Sequence, residues 1–354
     1  MDAYTDILFE EIPGEGGNIG LITLNRPQAL NALNSDMVRV MYKKLHIWAT
    51  LSTIKAVIIR AVEGRAFCAG GDLRSIYEEM KIHHPSATEF FYHEYQLNRL
   101  IFHFPKPYIA FLDGITMGGG VGISIHGSHR VATDNLVFAM PETGIGFFPD
   151  IGGTYFLPRL PSRLGFYLAL TGARLAADEC IAFSIAQYKV SRDTFPALIQ
   201  ALAAHPFEKN ARASVTQLIK PFTISTSPSL LMPQQADVDA CFSADTIEMI
   251  LETLHSSSSS LCKEAAQVMT KKSPTSLKVT LRALQIGKQL DFDACMQQEY
   301  RLVSHFINSH DFLEGIRAII IDKDQTPHWQ PDSLQKVTPE AVNQYFAPVA
   351  KELV

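Results

Sequence analysis

GITMGGGVGISIHGSHRVATDNLVFAMPETGIGFFPDIGG, residues 114–153, contains a glycine triplet, two carboxylates in apolar surroundings and a second glycine pair. The apolar run before it, at residues 108–112, predicts a buried strand, and the residues after the triplet predict a packed helix. A helix that begins on bare glycines leaves its first backbone N–H groups without an intrahelical partner. Such groups suit the binding of a phosphate, or of an oxygen that becomes negative during a reaction.

The two carboxylates of this stretch, Glu142 and Asp150, stand eight positions apart among phenylalanine, isoleucine and methionine residues. Burying a carboxylate without a partner is costly. We therefore expect each of them either to be satisfied by hydrogen bonds or to be kept for function. The structural alternatives are a helix-capping role for Glu142, after Pro141, and a turn role for Asp150, after Pro149.

Composition limits the classes of protein that this chain can represent. Its 354 residues are 47% hydrophobic and 19% charged, which suits one or two folded domains and argues against disorder. The net charge of -5 predicts no nucleic-acid partner. The longest apolar run is interrupted by Asp113 and glycines, so we also expect no membrane span.

The five cysteines contain no C-x-x-C pair, so neither a zinc site nor a disulfide framework is expected. The first twenty residues are rich in acidic side chains, including Asp2, Asp6, Glu10 and Glu11, which is unlike a secretory or mitochondrial presequence. We therefore expect a soluble protein of a reducing compartment, the cytoplasm.

A theme of strand, small-residue turn and helix occurs twice in the first half of the chain. It places Ala69-Gly70-Gly71 and Gly118-Gly119-Gly120 at equivalent points. Two such turns would each supply one backbone N–H group to a shared oxyanion pocket. Farther along, residues 206–260 predict an irregular region and residues 261–321 predict helices. We therefore divide the chain into residues 1–200, which hold the site, and a mainly helical region at 201–354.

Four segments of the chain resemble, in order, the signature segments of the enoyl-CoA hydratase/isomerase (crotonase) superfamily. They are LNRPQALNAL (24–33), GRAFCAGGDL (64–73), GITMGGGVG (114–122) and PETGIGFFPDIGG (141–153). The resemblance implies an α/β fold: a spiral of ββα repeats with two roughly perpendicular sheets and a C-terminal helical region. It also implies an acyl-CoA substrate, whose CoA is not a separate cofactor, and a homo-oligomer, either a trimer or another assembly.

The resemblance assigns roles to individual residues. The oxyanion hole would use the N–H of Ala69 or Gly70 and that of Gly119. Glu142 and Asp150 would be catalytic, with no metal ion. The implied substrate-binding residues are Gln28, Ala29, Gly71, Asp72, Glu94 and Gly118. Seen alone, Glu94 would be an ordinary residue on a helix surface.

One departure from the hydratase pattern separates the branches of the family. Hydratases place a glutamate three residues after the middle glycine of the triplet, where this chain has Gly122, and a glycine where it has Asp150. The pattern therefore resembles a branch that hydrolyses 3-hydroxyacyl-CoA thioesters. Glu142 would then act as nucleophile or as general base. Asp150 would bind the 3-hydroxyl or pass a proton. The alternatives are an enoyl-CoA hydratase or isomerase, and a catalytically silent CoA-binding protein.

Other polar residues are interpreted as structural. His126 and His129 have a spacing that suits a metal, but no third ligand is in register. Four charged residues near the C-terminus are expected to form ion pairs rather than to act in catalysis: Arg301, Asp311, Glu314 and Arg317.

Overall fold

The computed structural model describes residues 4–82, 84–207 and 210–354. Asp2, one of the acidic residues that distinguish the N-terminal stretch from a presequence, lies outside the described residues. The chain forms two compact units, each drawn from three segments. The first unit comprises Met1–Gly71, Gln96–Phe138 and Leu175–Ser229, and the second comprises Asp72–Tyr95, Ala139–Arg174 and Leu230–Val354. The predicted division at residue 200 cuts the chain differently and stays a prediction.

The strands lie in the first unit, except that the last residue of one of them, Ala139, belongs to the second. In chain order they are β1 Ile7–Ile12, β2 Asn18–Leu24, β3 Ile54–Ala61, β4 Ala66–Cys68, β5 Tyr108–Leu112, β6 Ile115–Met117, β7 His129–Ala132, β8 Val137–Ala139, β9 Leu175–Ala176 and β10 Tyr188–Lys189. They form a six-stranded sheet in the order β1-β2-β3-β5-β7-β10 and a four-stranded sheet in the order β4-β6-β8-β9.

The central strands of the larger sheet, β2, β3 and β5, are largely apolar, as expected for strands that pair in parallel and are covered on both faces. Strands β2, β3, β5, β7 and β10 pair in parallel, and only the β1–β2 pair is antiparallel. Parallel strands are covered on both faces and therefore appear as continuous apolar runs. All five residues of β5 are buried, as the sequence predicted for 108–112. Phe111 of β5 stacks on Phe195 with ring centroids 4.3 Å apart, within the core of this unit.

Helices occur in both units. In chain order they are α1 Ser35–Thr50, α2 Leu73–Lys81, α3 Ser86–Phe102, α4 Gly119–Gly122, α5 Gly153–Phe156, α6 Leu164–Thr171, α7 Ala177–Ala182, α8 Phe195–Ala203, α9 Ala211–Ile219, α10 Gln235–Cys241, α11 Ile247–Ser256, α12 Ser260–Met269, α13 Pro274–Gly287, α14 Phe292–Phe306, α15 His310–Ile316 and α16 Pro339–Gln344. The second unit holds α2, the first part of α3, α5, α6 and α10 to α16. No helix in the described ranges is long and apolar enough to cross a membrane.

The structure confirms the two-sheet α/β class and the helical C-terminal region, and it corrects two details. The helix after the glycine triplet, α4, has only four residues, because the chain turns at Ile123 instead of continuing through the apolar segment. Residues 206–260 are not irregular, since they contain α9, α10 and α11. Pro221 and Pro233 occupy the first turns of short 3₁₀ helices, where a missing N–H is tolerated.

Candidate active site

In the first unit, the turns that carry Gly70 and Gly119 lie side by side. A Cβ atom built on Gly70 would lie 3.7 Å from the backbone nitrogen of Gly119. The N–H groups of these two glycines have no acceptor among the described residues. The N–H of Ala69, by contrast, donates to the carbonyl of Leu30 at 3.0 Å. Of the two residues considered for the first donor, Gly70 is therefore the one with an uncommitted N–H group.

Glycine is required in these turns for two physical reasons. Gly70 has φ +119° and Gly118 has φ +47° with ψ -126°, conformations that side chains with a Cβ rarely adopt. Gly120 packs against β4 so closely that a Cβ there would lie 2.2 Å from the carbonyl oxygen of Cys68. The triplet thus sets both the direction of the chain and its approach to the neighbouring strand.

The structure places the other predicted substrate-binding residues on turns and helix ends. Gln28 is exposed and Ala29 half-buried in a short 3₁₀ helix, Pro27–Ala29. Gly71 forms an isolated β-bridge with Leu33. Asp72, in the second unit, caps α2 by accepting from the Ser75 N–H at 3.3 Å. Their binding roles stay predictions.

The second unit holds a group of buried carboxylates. Glu94, near the middle of α3, is 2% exposed, Asp150 is 4% exposed and Glu142 is 6% exposed. The Tyr95 hydroxyl donates to Oδ2 of Asp150 at 2.7 Å. Oε1 of Glu94 and Oε2 of Glu142 are buried with no hydrogen-bond partner among the described residues. Glu94 is therefore not the surface residue that its isolated sequence would suggest.

The carboxylates perturb one another. Burial raises the pKa of Glu142 well above its usual range, and the charge of Asp150 raises it further. Burial, then Asp150 and then Glu142, raise the pKa of Glu94 in the same way. Burial raises the pKa of Asp150 to about 7, although the hydrogen bond from Tyr95 opposes this shift. Three buried carboxyl groups at close quarters cannot all be ionised near neutral pH, so the group retains at least one proton.

A buried cation, Lys272, accompanies these acids in the second unit. Burial lowers its pKa to about 8, and the charge of Glu142 opposes that shift. Its Nζ lies 3.5 Å from the Cβ position of Gly144 and 3.6 Å from that of Gly172. Sequence reasoning missed Lys272 because a Lys-Lys pair before a helix is ordinary surface chemistry.

Glu299, on α14, is a fourth buried carboxylate that sequence reasoning missed. It is fully buried and accepts hydrogen bonds from the residues that follow Asp150. A signal was present in the sequence. Glu299 stands at helical spacing between Cys295 and Met296 on one side and Leu302 and Val303 on the other, on an otherwise apolar face. An acid on an apolar helix face must find donors in the folded chain.

The polar residues that were interpreted as structural have structural contacts. In the first unit, His129 contacts Ser128 Oγ through Nδ1 at 2.7 Å and Thr216 Oγ1 through Nε2 at 3.1 Å. In the second unit, Arg301 pairs with Glu352 at 2.9 Å.

The remaining pair of C-terminal charges forms its expected bridge, with 2.8 Å between Arg317 and Glu314. Asp311 differs from the expectation. It accepts from the Ser273 hydroxyl and the Gln330 N–H, and its Oδ1 lies 3.2 Å from Nδ1 of His310.

The chain belongs to the enoyl-CoA hydratase/isomerase family, whose model matches residues 19–346. This result confirms the resemblance found in the sequence. Among curated relatives, the chain is 43% identical over 349 residues to a Homo sapiens protein named 3-hydroxyisobutyryl-CoA hydrolase, mitochondrial, with 98% of this chain and 90% of that protein covered. A Xenopus tropicalis protein of the same name is 44% identical, with 94% of this chain and 87% of that protein covered.

Two solved structures are similar over 99% of both chains. One is titled a carnitinyl-CoA dehydratase from Mycobacterium thermoresistibile, at 37% identity and a TM-score of 0.91. The other is titled an enoyl-CoA hydratase from Rhodobacter sphaeroides 2.4.1, at 34% identity and a TM-score of 0.88. The fold is therefore that of acyl-CoA enzymes with more than one reaction type.

Proposed function

We propose that this chain is an enzyme that hydrolyses 3-hydroxyisobutyryl-CoA to 3-hydroxyisobutyrate and coenzyme A, a step of valine catabolism. The names of curated relatives at 43% and 44% identity support the substrate. The observation that carries the chemistry is Glu142, a buried carboxylate whose Oε2 has no donor among the described residues. An oxygen with a spare lone pair in a dry environment is suited to attack a thioester or to take a proton from water.

In the first route, an oxygen of Glu142 attacks the thioester carbonyl carbon. The carbonyl oxygen becomes negative and needs hydrogen-bond donors, the role that the family resemblance assigns to the N–H groups of Gly70 and Gly119. Collapse of this intermediate breaks the C–S bond, and the thiolate leaves with a proton as free coenzyme A. The product is a mixed anhydride, which water then hydrolyses to the hydroxy acid and the carboxylate of Glu142.

In the second route, Glu142 takes a proton from water, and the resulting hydroxide attacks the same carbonyl carbon. Both routes need an ionised Glu142 and a proton for the leaving sulfur. Asp150 suits the proton transfer, because a pKa of about 7 balances donation and acceptance near neutral pH. Its alternative role is to bind the 3-hydroxyl of the acyl chain.

The competing function is hydration of an enoyl-CoA, and the titles of the two similar solved structures favour it. Hydratases of this family use a second glutamate where this chain has Gly122, inside α4. Without that carboxylate, only one of the two acids that place and deprotonate the attacking water in a hydratase is present. Asp150 adds a carboxyl group at a position where the hydratase pattern has glycine, which fits thioester cleavage better than addition to a double bond.

The test is free-thiol release from 3-hydroxyisobutyryl-CoA, measured beside hydration of crotonyl-CoA, for the wild-type chain and for Glu142→Gln and Asp150→Asn. Thiol release that falls in both variants, with little hydration, supports the proposal. Hydration without thiol release would replace it with a hydratase. If neither thiol release nor hydration is observed, the chain is better explained as a CoA-binding protein without catalytic activity. The 3-hydroxypropionyl ester is a needed comparison, since one methyl group is worth only about 1–3 kcal/mol of discrimination.

The expected compartment and assembly belong to this proposal as well. The cytoplasm stays our prediction for this chain, whereas the names of the curated relatives carry the word mitochondrial. Fluorescent tagging of the full-length protein in its own cells would decide between the two compartments. Light scattering of the purified protein would test the predicted homo-oligomer.

A further inference from the structure

The backbone immediately after Asp150 is strained. Ile151 has φ +54° and Gly152 has φ +83°, so two consecutive residues adopt left-handed conformations. Glycine takes this conformation freely, but a β-branched isoleucine does not. Such a conformation persists only where the surrounding structure holds it, and it is typical of functional sites. The direction of the Asp150 side chain therefore depends on whatever holds this turn.

Glu299, on α14, holds this turn, although it lies 147 residues beyond Gly152 in the chain. Its Oε2 accepts from the N–H of Gly152 at 2.7 Å. Its Oε1 accepts from the N–H of Thr154 at 2.8 Å and from the Thr154 hydroxyl at 2.6 Å. The turn is closed from inside by the Gly153 N–H, which donates to the Asp150 carbonyl at 2.7 Å.

An ordinary core residue would not explain this arrangement. Glu299 is fully buried, and burial raises its pKa to about 8 against the opposing hydrogen bonds from Thr154 and Gly152. An apolar side chain would fill the same place on α14 without the cost of burying an acid. When it is ionised, Glu299 also acts at a distance, because its charge helps to raise the pKa of Glu142. Glu299 thus affects both candidate catalytic acids without itself being one.

We propose that Glu299 is a positioning residue whose carboxylate fixes the turn at residues 150–154 and so aims the Asp150 carboxyl group for proton transfer. This inference rests on the proposed function for its effect on rate. Its structural part, that the turn is held by Glu299, stands independently of the substrate.

The test is Glu299→Gln, which keeps the size of the side chain but replaces one accepting oxygen with an amide NH₂. Since a misplacement of about 1 Å costs up to ~10²-fold in rate, we expect kcat for thiol release to fall by about 10–10²-fold. KM should stay within about threefold, because the N–H groups that hold the thioester are untouched. Above about pH 8, where Glu299 of the wild type is ionised, the variant lacks a charge that raises the pKa of Glu142, so the pH–rate profile there should shift to lower pH.

A matched control is Gln298→Ala, on the same helix. Gln298 is also buried and donates to the carbonyl of Ala283 at 3.2 Å, so its loss destabilises α14 without changing the turn. The control should lower the melting temperature but leave kcat and the pH profile unchanged. If Glu299→Gln behaves like this control, the inference is overturned.

A second readout separates this inference from the proposed function. Hydrogen–deuterium exchange of the 150–156 segment should be faster in Glu299→Gln than in the wild type, whichever substrate the enzyme takes. Unchanged exchange there would overturn the inference. If the wild type releases no thiol, the proposed function fails while the exchange result still decides whether Glu299 holds the turn. If Glu299→Gln does not fold, Thr154→Val removes only one of the three donors, and faster exchange is again required.

Discussion

The two regions that hold the candidate chemistry are built in opposite ways. In the first unit, the donors are backbone N–H groups, placed by glycines at residues 70 and 118–120, and they carry no titratable group. In the second unit, the reactive groups are the side chains of Glu94, Glu142 and Asp150, contributed by separate segments and buried against their charge. A backbone donor is insensitive to pH and depends on local geometry. A buried carboxylate depends on every neighbouring charge.

This contrast identifies where stability and activity compete. Uncommitted N–H groups cost a limited amount when the turn that holds them is already required by packing, as at Gly120. Buried acids cost more, because a carboxyl group that ionises in a dry environment loses its hydration. We therefore expect substitutions in the carboxylate region to weaken activity while strengthening the fold, and substitutions in the glycine region to weaken both.

The largest effect should come from Glu142→Gln. Loss of the attacking or deprotonating oxygen should lower kcat by about 10²–10⁴-fold, whereas the melting temperature should stay the same or rise, since a buried acid is removed. Thiol-release kinetics and calorimetry on one preparation measure both. If the rate of Glu142→Gln falls only because less of the protein is folded, the proposed distinction between the two regions is wrong.

The next largest effect should come from Gly70→Ala. At φ +119° a side chain strains the backbone, although the nearest atoms, at 3.6 Å or more, leave room for a methyl group. The N–H should shift, and kcat should fall by about 10²–10³-fold, as for the loss of one oxyanion donor. Gly64→Ala, in the loop before β4, is the control, because its new Cβ meets nothing closer than 3.8 Å and the position is exposed. Equal effects at both positions would contradict the assignment of Gly70.

Asp150→Asn should lower kcat by about 10–10²-fold and change the pH dependence of stability. The folded pKa of Asp150 is about 7, against about 3.9 for an unperturbed aspartate. Between these values the folded state binds more protons than the unfolded state, so stability falls as pH rises through the window. Asp150→Asn has no carboxyl group to ionise at this position, so this loss of stability does not occur in the variant. The free energy of unfolding of the variant minus that of the wild type should therefore be larger at pH 8 than at pH 5. Chemical denaturation at both pH values tests this, and parallel behaviour would refute it.

The smallest effect should come from Lys272→Met. The charge of Lys272 lowers the pKa of Glu142, so its removal should move the acid limb of the pH–rate profile to higher pH. At a pH below that limb, the rate should fall by roughly 2–10-fold, with little change on the plateau. Lys271→Met is the control, because Lys271 is exposed beside it. A shift of the same size in the control would show that net charge, rather than Lys272, sets the limb.

The accuracy of the sequence predictions followed the range of the interactions involved. Local signals worked: the apolar run at 108–112 predicted a buried strand, and it is β5. The length of the helix after the glycine triplet was overestimated. An apolar segment of seven residues has the same composition whether it forms a helix or a series of turns. The region at 206–260 was misjudged, because prolines at the starts of short helices look the same in sequence as prolines that break them.

The sequence by itself, through its resemblance to the family, predicted the two-sheet α/β class, which the structure confirms. It also singled out Glu142, Asp150 and the glycine turns as candidates, whose roles stay predictions. Only the tertiary structure decided that Gly70 rather than Ala69 has the uncommitted N–H, that Lys272 is buried with the acids, and that Glu299 binds the turn after Asp150. The physical reason is that burial, hydrogen-bond partnership and pKa arise from groups that are far apart in the chain. Those distances exist only once the chain has folded.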